Sequence, residues 1–564
     1  MDENSKNSLL GNMFRKLADQ IDMSEEYLSR LEKRIDEKLA ERARRGGEYL
    51  SDLGRRIDEK YGEAAEKCED YLNGLDSRID EKCGEAAEKA EERLSELDER
   101  IEEKAEKAGD FLSDLGRRLS AKLEKIFTPE EAAPGTDRRM MDTCAIVGAN
   151  WGDEGKGRMV DLVAEDYDVV VRYQGGNNAG HTIKNDCGTF ALNLLPSGIF
   201  RYEKMNVLGS GMVVDIRHLC GEIEKLRQAG VRIDPGNLMI SDRAIIVMPY
   251  HVALDGLEEA RLSDKPYGST KRGIAPVYGD KYMKKGIMMG ELFDEEYLKA
   301  HLRDVLEFKN LQIKGVYGGE EFRYEDMLEY LETYGKPLLP YIGDTGAYLR
   351  KAAKEGRSIL YEAQLGALRD IDFGIYPYTS SSSPLAAYAP IGSGTPDIPV
   401  NRVIGIVKAY SSCVGEGPFT CEWFGEKAEE LREAGGEYGA ATGRPRRVGP
   451  IDIPATRYGV RMQGATEIAL TKLDVLSYMK EIPICIDYEI DGERTGEFPF
   501  PARLAKAKPV EITMPGWNCD ISGVRCFEDL PEAARNYVEF IEKQLEVHIS
   551  YVSVGAEREA IILR

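Results

Sequence analysis

No run in this 564-residue chain approaches eighteen consecutive apolar residues, and its N-terminus lacks the short apolar block of a secretory leader. Neither a membrane span nor export is therefore expected. The ten cysteines include no C-x-x-C pair and no spacing that suits a metal, and there are only five histidines. That excludes a disulfide framework or a zinc module and suits reduced thiols in the cytoplasm. Basic residues are in deficit: 76 Lys and Arg stand against 100 Asp and Glu, a net charge of −24. A general binder of nucleic acid or of anionic lipid needs the opposite balance, so neither partner is expected. Apolar residues, by contrast, make up 42% of the chain, enough for a sizeable core.

The first 128 residues are a repeat. R-I-D-E-K begins at Arg34, Arg56 and Arg78, and R-I-E-E-K at Arg100, a period of 22 residues. Twenty-two is two elevens, and an 11-residue repeat keeps an apolar stripe nearly straight along a helix. Ile57, Tyr61, Ala64, Cys68, Leu72, Leu75 and Ile79 trace that stripe, and the other faces are densely charged. Such a helix cannot bury its stripe alone. The reading is an amphipathic helix or coiled coil over 1–128 that self-associates or binds a protein partner. Its acidic repeats disfavour anionic lipid. Residues 129–141, with Pro129, Pro134 and Gly135, read as a linker.

From Ala145 to Thr182 the pattern changes. An apolar run breaks into a loop holding Gly148, Gly152, Gly155 and Gly157, and helical spacing of Met159, Leu162 and Val163 follows. A second apolar run, Val169 to Val171, ends in another glycine loop, Gly175 to Gly180. Strand, loop, helix, strand, loop is the order of a parallel α/β unit. Glycines at a strand-to-helix turn let backbone N–H groups face an anion, so both loops are candidate phosphate cradles. The first is not a Walker A loop, because Asn150 stands where that motif has glycine and Gly157 where it has a hydroxyl. Asp153 is then the nearest hard oxygen donor for Mg²⁺.

Two long motifs, Asn150-Trp-Gly-Asp-Glu-Gly-Lys-Gly157 and Gln174-Gly-Gly-Asn-Asn-Ala-Gly-His-Thr182, closely resemble the adenylosuccinate synthetase family, GTP-dependent ligases joining L-aspartate to inosine monophosphate (IMP). The resemblance covers about 142–564 and none of the repeat. It implies one large α/β domain around a mostly parallel central sheet, related to the P-loop nucleoside triphosphatases, working as a homodimer. It assigns Asp153 to removing the proton from N1 of the purine, so that the 6-oxygen attacks the γ-phosphate. His181 stabilises the phosphoryl oxygens as general acid, and Lys156 completes the catalytic set. Mg²⁺ is held by Asp153 and the carbonyl of Gly180.

Contacts to GTP are implied for Gly152, Glu154, Gly155, Gly157, Gly180, Thr182, Arg446, Lys472, Asp474, Ser553 and Gly555. In Thr471-Lys-Leu-Asp474 the carboxylate accepts from guanine N1–H and the 2-amino group together, which adenine cannot supply. On the IMP and aspartate side the implied residues are Asn178, Thr270, Lys284, Gln364, Ser380, Thr442 and Arg444. Arg444 and Arg446 lie in the segment that handles aspartate, where a planar guanidinium fork meets a carboxylate bidentately.

Three residues depart from the family pattern. Lys271 stands in place of a glycine, and Lys284 in place of an arginine that crosses the dimer interface. In Tyr361-Glu-Ala-Gln-Leu-Gly366, Leu365 takes the position of a substrate-binding glutamine, with Gln364 one place earlier. Two rival readings follow from these departures: a weakened paralogue that acts as a scaffold through its N-terminal helix, or the same ligase chemistry on another purine monophosphate.

Overall fold

The computed structural model describes residues 142–185, 188–263, 266–439 and 443–564; the side chains of 181–185 and of Thr189 lie outside that description. The expected helical repeat over 1–128 and the linker over 129–141 also lie outside it, as does Thr442.

The strand expected at the head of the glycine stretch is Thr143–Gly148 (β1), and all six of its residues are buried. Burial on both faces explains why β1 and Val169–Arg172 (β2) read as continuous apolar runs, without the polar alternation of a half-exposed strand. Eight more strands complete the central sheet: Met205–Leu208 (β3), Leu238–Ser241 (β4), Ile342–Gly343 (β5), Ile359–Gly366 (β6), Arg402–Lys408 (β7), Glu467–Thr471 (β8), Ile549–Ser553 (β9) and Ile561–Leu563 (β10). Their spatial order is β10-β9-β8-β7-β1-β6-β2-β3-β4-β5. Every neighbouring pair is parallel except β9 with β10. The mostly parallel sheet expected from sequence is therefore present.

β1 lies between β6 and β7, and the chain leaves it first toward β2 to β5 and later toward β7 to β10. That makes β1 the switch point of the sheet, where loops at the carboxyl ends of neighbouring strands diverge and leave a crevice.

Helices cover the faces. Lys156–Val163 (α1) follows β1 and buries Met159, Val160 and Val163. Ile216–Gln228 (α2) starts after Asp215, whose side chain accepts from the backbone N–H of His218, and it buries Leu219, Ile223 and Leu226. Pro249–Leu262 (α3), Ile274–Met283 (α4) and Glu295–Tyr317 (α5) follow. Ile453–Gln463 (α6) lies so close to the start of the first glycine loop that a Cβ on Gly459 would stand 1.7 Å from the Ala149 carbonyl oxygen. Only glycine fits there. Glu532–Leu545 (α7) covers the far side and buries Tyr537, Val538 and Ile541.

Candidate active site

Between β1 and α1 the backbone enters the left-handed region three times, at Gly152 (φ 103°), Asp153 (φ 59°) and Gly155 (φ 97°). Glycine takes that conformation freely, and Asp is among the residues that tolerate it. The turn is held from inside by Glu154, whose side chain is buried. Its Oε1 accepts from the N–H groups of Asn150 at 3.1 Å and Gly152 at 2.7 Å, and its Oε2 meets Lys156 Nζ at 2.5 Å. A Cβ on Gly148 or Gly366 would fall 2.4 Å from this carboxylate. The Thr471 hydroxyl, at the end of β8, donates to the Glu154 carbonyl at 2.6 Å. Glu154 therefore shapes the loop with its side chain. A ligand is offered the N–H groups at the start of α1, which have no partner within the helix.

Asp153 points the other way, toward Arg446, with 3.1 Å between its Oδ2 and the arginine Nε. Arg446 Nη1 donates in turn to Glu437 Oε2 at 2.9 Å. Glu437 is fully buried, and its Oε1 accepts from Lys408 Nζ and Lys472 Nζ, each at 2.9 Å, and from the Tyr410 hydroxyl. Burial pushes the Glu437 carboxyl up, yet the ammonium groups of Lys408 and Lys472 override it and hold the group well below the usual carboxylate range. Burial brings Lys408 down to about 8. Glu437 and Lys408 were not among the residues expected from sequence. An acidic residue in an acidic chain carries no local sign that it will be buried.

At the carboxyl end of β8, Lys472 adopts φ 60° and also donates to the Gly435 carbonyl at 2.6 Å. Asp474 Oδ1 is buried with no hydrogen-bond partner, and burial raises its carboxyl pKa. Beside it, Arg158 reaches from the first turn of α1 to Ser553 Oγ and the Gly555 carbonyl, each at 2.5 Å, and to the Ala560 carbonyl at 3.1 Å. Ser553 and Gly555, expected at the base pocket, are thus tied to the phosphate loop by a residue that sequence reasoning passed over.

The second glycine loop is held by amides. Gln174 Nε2 donates to the Gln364 carbonyl at 2.9 Å, and Ser382 Oγ donates to Gln174 Oε1 at 2.7 Å. The side chain of Gln364 gives both its N–H donors to backbone, to the Gly176 carbonyl at 2.7 Å and the Asn193 carbonyl at 2.8 Å. Its Oε1 is unpartnered and packs where a Cβ on Gly175 would stand. Gln364 thus ties the loops together and keeps no N–H for a ligand. Leu365, left-handed at φ 60°, lies against Gly152 at the rim.

Asn178 is half-buried and accepts from the Gly176 N–H at 3.3 Å. Thr270 is exposed on a loop held by Asp255, which takes the Ser269 hydroxyl at 2.6 Å and the Gly273 N–H at 2.8 Å. Lys271 has φ 55°, a left-handed backbone that accounts for a glycine there in the family pattern. Lys284 ends α4, also left-handed and exposed. Ser380 is half-buried with its hydroxyl 3.4 Å from that of Ser382. Arg444, more than half exposed, stands 3.5 Å from Glu416. Gly157 is buried in α1, and Gly180 is exposed just before the strand His181–Asn185, whose His181 and Thr182 side chains lie outside the described residues. A cavity of about 700 Å³, lined among others by Asp215, Arg217, His218 and Arg272, contains none of the expected site residues.

These elements bring a glycine turn, a carboxylate with one buried, unpartnered oxygen and an arginine segment to the carboxyl ends of adjacent strands. The sequence profile described as adenylosuccinate synthetase matches residues 145–562. An adenylosuccinate synthetase from Caldanaerobacter subterraneus subsp. tengcongensis is 47% identical over 426 residues, 75% of this chain and all of that one. Another, from Listeria monocytogenes serotype 4a, is 44% identical over 419 residues, 74% of this chain and 97% of that one. Among solved structures, the fully ligated adenylosuccinate synthetase from Plasmodium falciparum is similar with a TM-score of 0.70 and 35% identity, over 75% of this chain and 100% of that one.

Proposed function

The chain belongs to the adenylosuccinate synthetase family and is a GTP-dependent ligase joining L-aspartate to IMP, and we propose that it does so with Asp153 as the base and the crevice around β1 as the site. The observation that carries this assignment is the position of Asp153. It is a left-handed residue in the turn between β1 and α1, partly exposed, with Arg446 as its ion-pair partner among the described residues.

Inosine O6 is a poor nucleophile until N1 loses its proton, which moves electron density onto the oxygen. Asp153 takes that proton. The γ-phosphate of GTP, cradled by the N–H groups that open α1, passes to O6, with Lys156 balancing its charge. His181 stabilises the phosphoryl oxygens, and the aspartate amine then displaces phosphate at C6. Arg444 and Arg446 hold the two carboxylates of aspartate. The guanine base lies over Lys472, with Asp474 accepting from N1–H and the 2-amino group; an orphaned buried acceptor fits that pair of donors. Asn178, Thr270, Ser380 and Lys284 bind IMP, with Lys284 supplying charge without an arginine's fork.

Asp153 and the Gly180 carbonyl are hard oxygen donors, and both are open to solvent, so the residues fit Mg²⁺. The ion would be held there and would supply charge neutralisation of the phosphates. We further assign a homodimer through the catalytic domain, supported by exposed Tyr282, Met283, Met288 and Phe293 around Lys284. We also read the protein as cytoplasmic. No helix of the described residues is long and apolar enough to cross a membrane. Phosphate release that requires GTP, Mg²⁺, IMP and aspartate together supports the assignment, and release independent of aspartate or IMP contradicts it.

A further inference from the structure

The hydrogen bonds around Glu437 reach into two parts of the site that the sequence keeps apart. Its Oε1 holds Lys472, from the guanine side at the end of β8, and Lys408, from the end of β7. Its Oε2 holds Arg446, from the aspartate side, and Arg446 in turn meets Asp153. One buried carboxylate thus serves three cations, with the Tyr410 hydroxyl as a further donor.

A lone buried carboxylate would be costly, and three unbalanced buried or half-buried cations would be costlier still, so each group depends on the others. Arg446 has Nη1 engaged by Glu437 and Nε facing Asp153, which leaves Nη2 as the edge turned to neither. Its position between two carboxylates is therefore set by their balance.

We propose that Glu437 is a positioning residue that couples the guanine pocket to the aspartate site, by holding Lys472 with one oxygen and Arg446 with the other. Resting on the ligase reading above, this goes beyond it in naming what links the two sites. With Glu437 in place, Arg446 is shared between two carboxylates. Without that charge, Arg446 pairs fully with Asp153 and becomes a poorer receiver of the aspartate carboxylate. Lys472 loses the contact that fixes its stem beneath the base.

The test is Glu437→Gln in the full-length enzyme, with kcat and KM for each substrate. Wild-type turnover of GTP, IMP and aspartate is measured first; its absence sinks the ligase reading, whereas an active wild type leaves the test to the variant. Expected is a rise of about fivefold or more in KM for both aspartate and GTP, with KM for IMP within about twofold of wild type. A fall in kcat with all three KM values unmoved would leave Glu437 a packing residue and overturn the proposal. If Glu437→Gln does not fold, Glu437→Asp decides. Its charge is kept but it is too short to span both cations, so both KM values are expected to rise. Unchanged KM values in that variant would overturn the coupling.

Discussion

Arg158 donates to Ser553 across 395 positions of sequence, from the first turn of α1 to the carboxyl end of β9, at 2.5 Å. The contact fastens the loop proposed to flank the guanine base directly to the helix whose start is proposed to cradle phosphate. Burial lowers the pKa of this guanidinium, while the carboxylate of Asp474 favours its charged form. Arg158→Ala is expected to raise KM for GTP roughly tenfold, with kcat at saturating GTP changed far less. Steady-state kinetics with GTP as the varied substrate check this. An unchanged KM would mean that the loop holds its shape without the arginine.

Asp474 offers a buried oxygen with no partner. Asp474→Asn keeps one acceptor oxygen, for guanine N1–H, and sets an amide donor against the 2-amino group. KM for GTP should rise on the order of 10² or more, since two donors then face each other in a buried site. Xanthosine triphosphate, whose 2-oxo group accepts from that amide, should become the better substrate of the variant. Competition between the two nucleotides reads the switch.

Leu365 stands at the rim beside Gly152, and the neighbouring Gln364 gives both amide N–H donors to backbone carbonyls. Leu365→Gln is therefore expected to lower KM for IMP by about fivefold, the worth of one hydrogen bond of about 1 kcal/mol. Titrating IMP at saturating GTP and aspartate tests it, and no change would mean that the side chain at 365 does not face the purine.

How far the sequence foretold the site varies with the range of the interaction. Local geometry was legible: the first apolar run, both glycine loops, the turn holding Asp153 and the helix after it all lie where spacing and residue type put them. Contacts between distant segments were not. Glu437 becomes a hub only because the ends of β7 and β8 converge on it. Gln364 could be read as one place from a substrate position, but its carbonyl partners at Gly176 and Asn193 come from elsewhere in the chain. The family's glycine at position 271 was seen as a departure, and its cause, a left-handed backbone, emerged only from φ.

His251 makes an acid-sensitive joint among α3, α4 and α5. Its ring is fully buried, with Nε2 2.8 Å from Asp280 Oδ2, and Lys309 occupies the other oxygen of Asp280. Burial lowers the imidazole pKa, and Lys309 adds to the effect. With the folded pKa below the unfolded value of about 6.5, the unfolded chain binds a proton that the folded chain refuses. Stability from this group is therefore complete above about pH 6.5 and falls as pH drops through the window below it. Melting temperatures from pH 7.5 to 5.5 should decline in the wild type, and the decline should flatten in His251→Gln, which keeps a donor to Asp280 and an acceptor for the Met248 N–H.

The most direct measurement is turnover by Asp153→Asn, with GTP, Mg²⁺, IMP and aspartate at saturation. An amide cannot take the purine proton, so adenylosuccinate formation should fall by on the order of 10³-fold or more while GTP and IMP still bind. Product formed at the wild-type rate would contradict the assignment of Asp153 as the base.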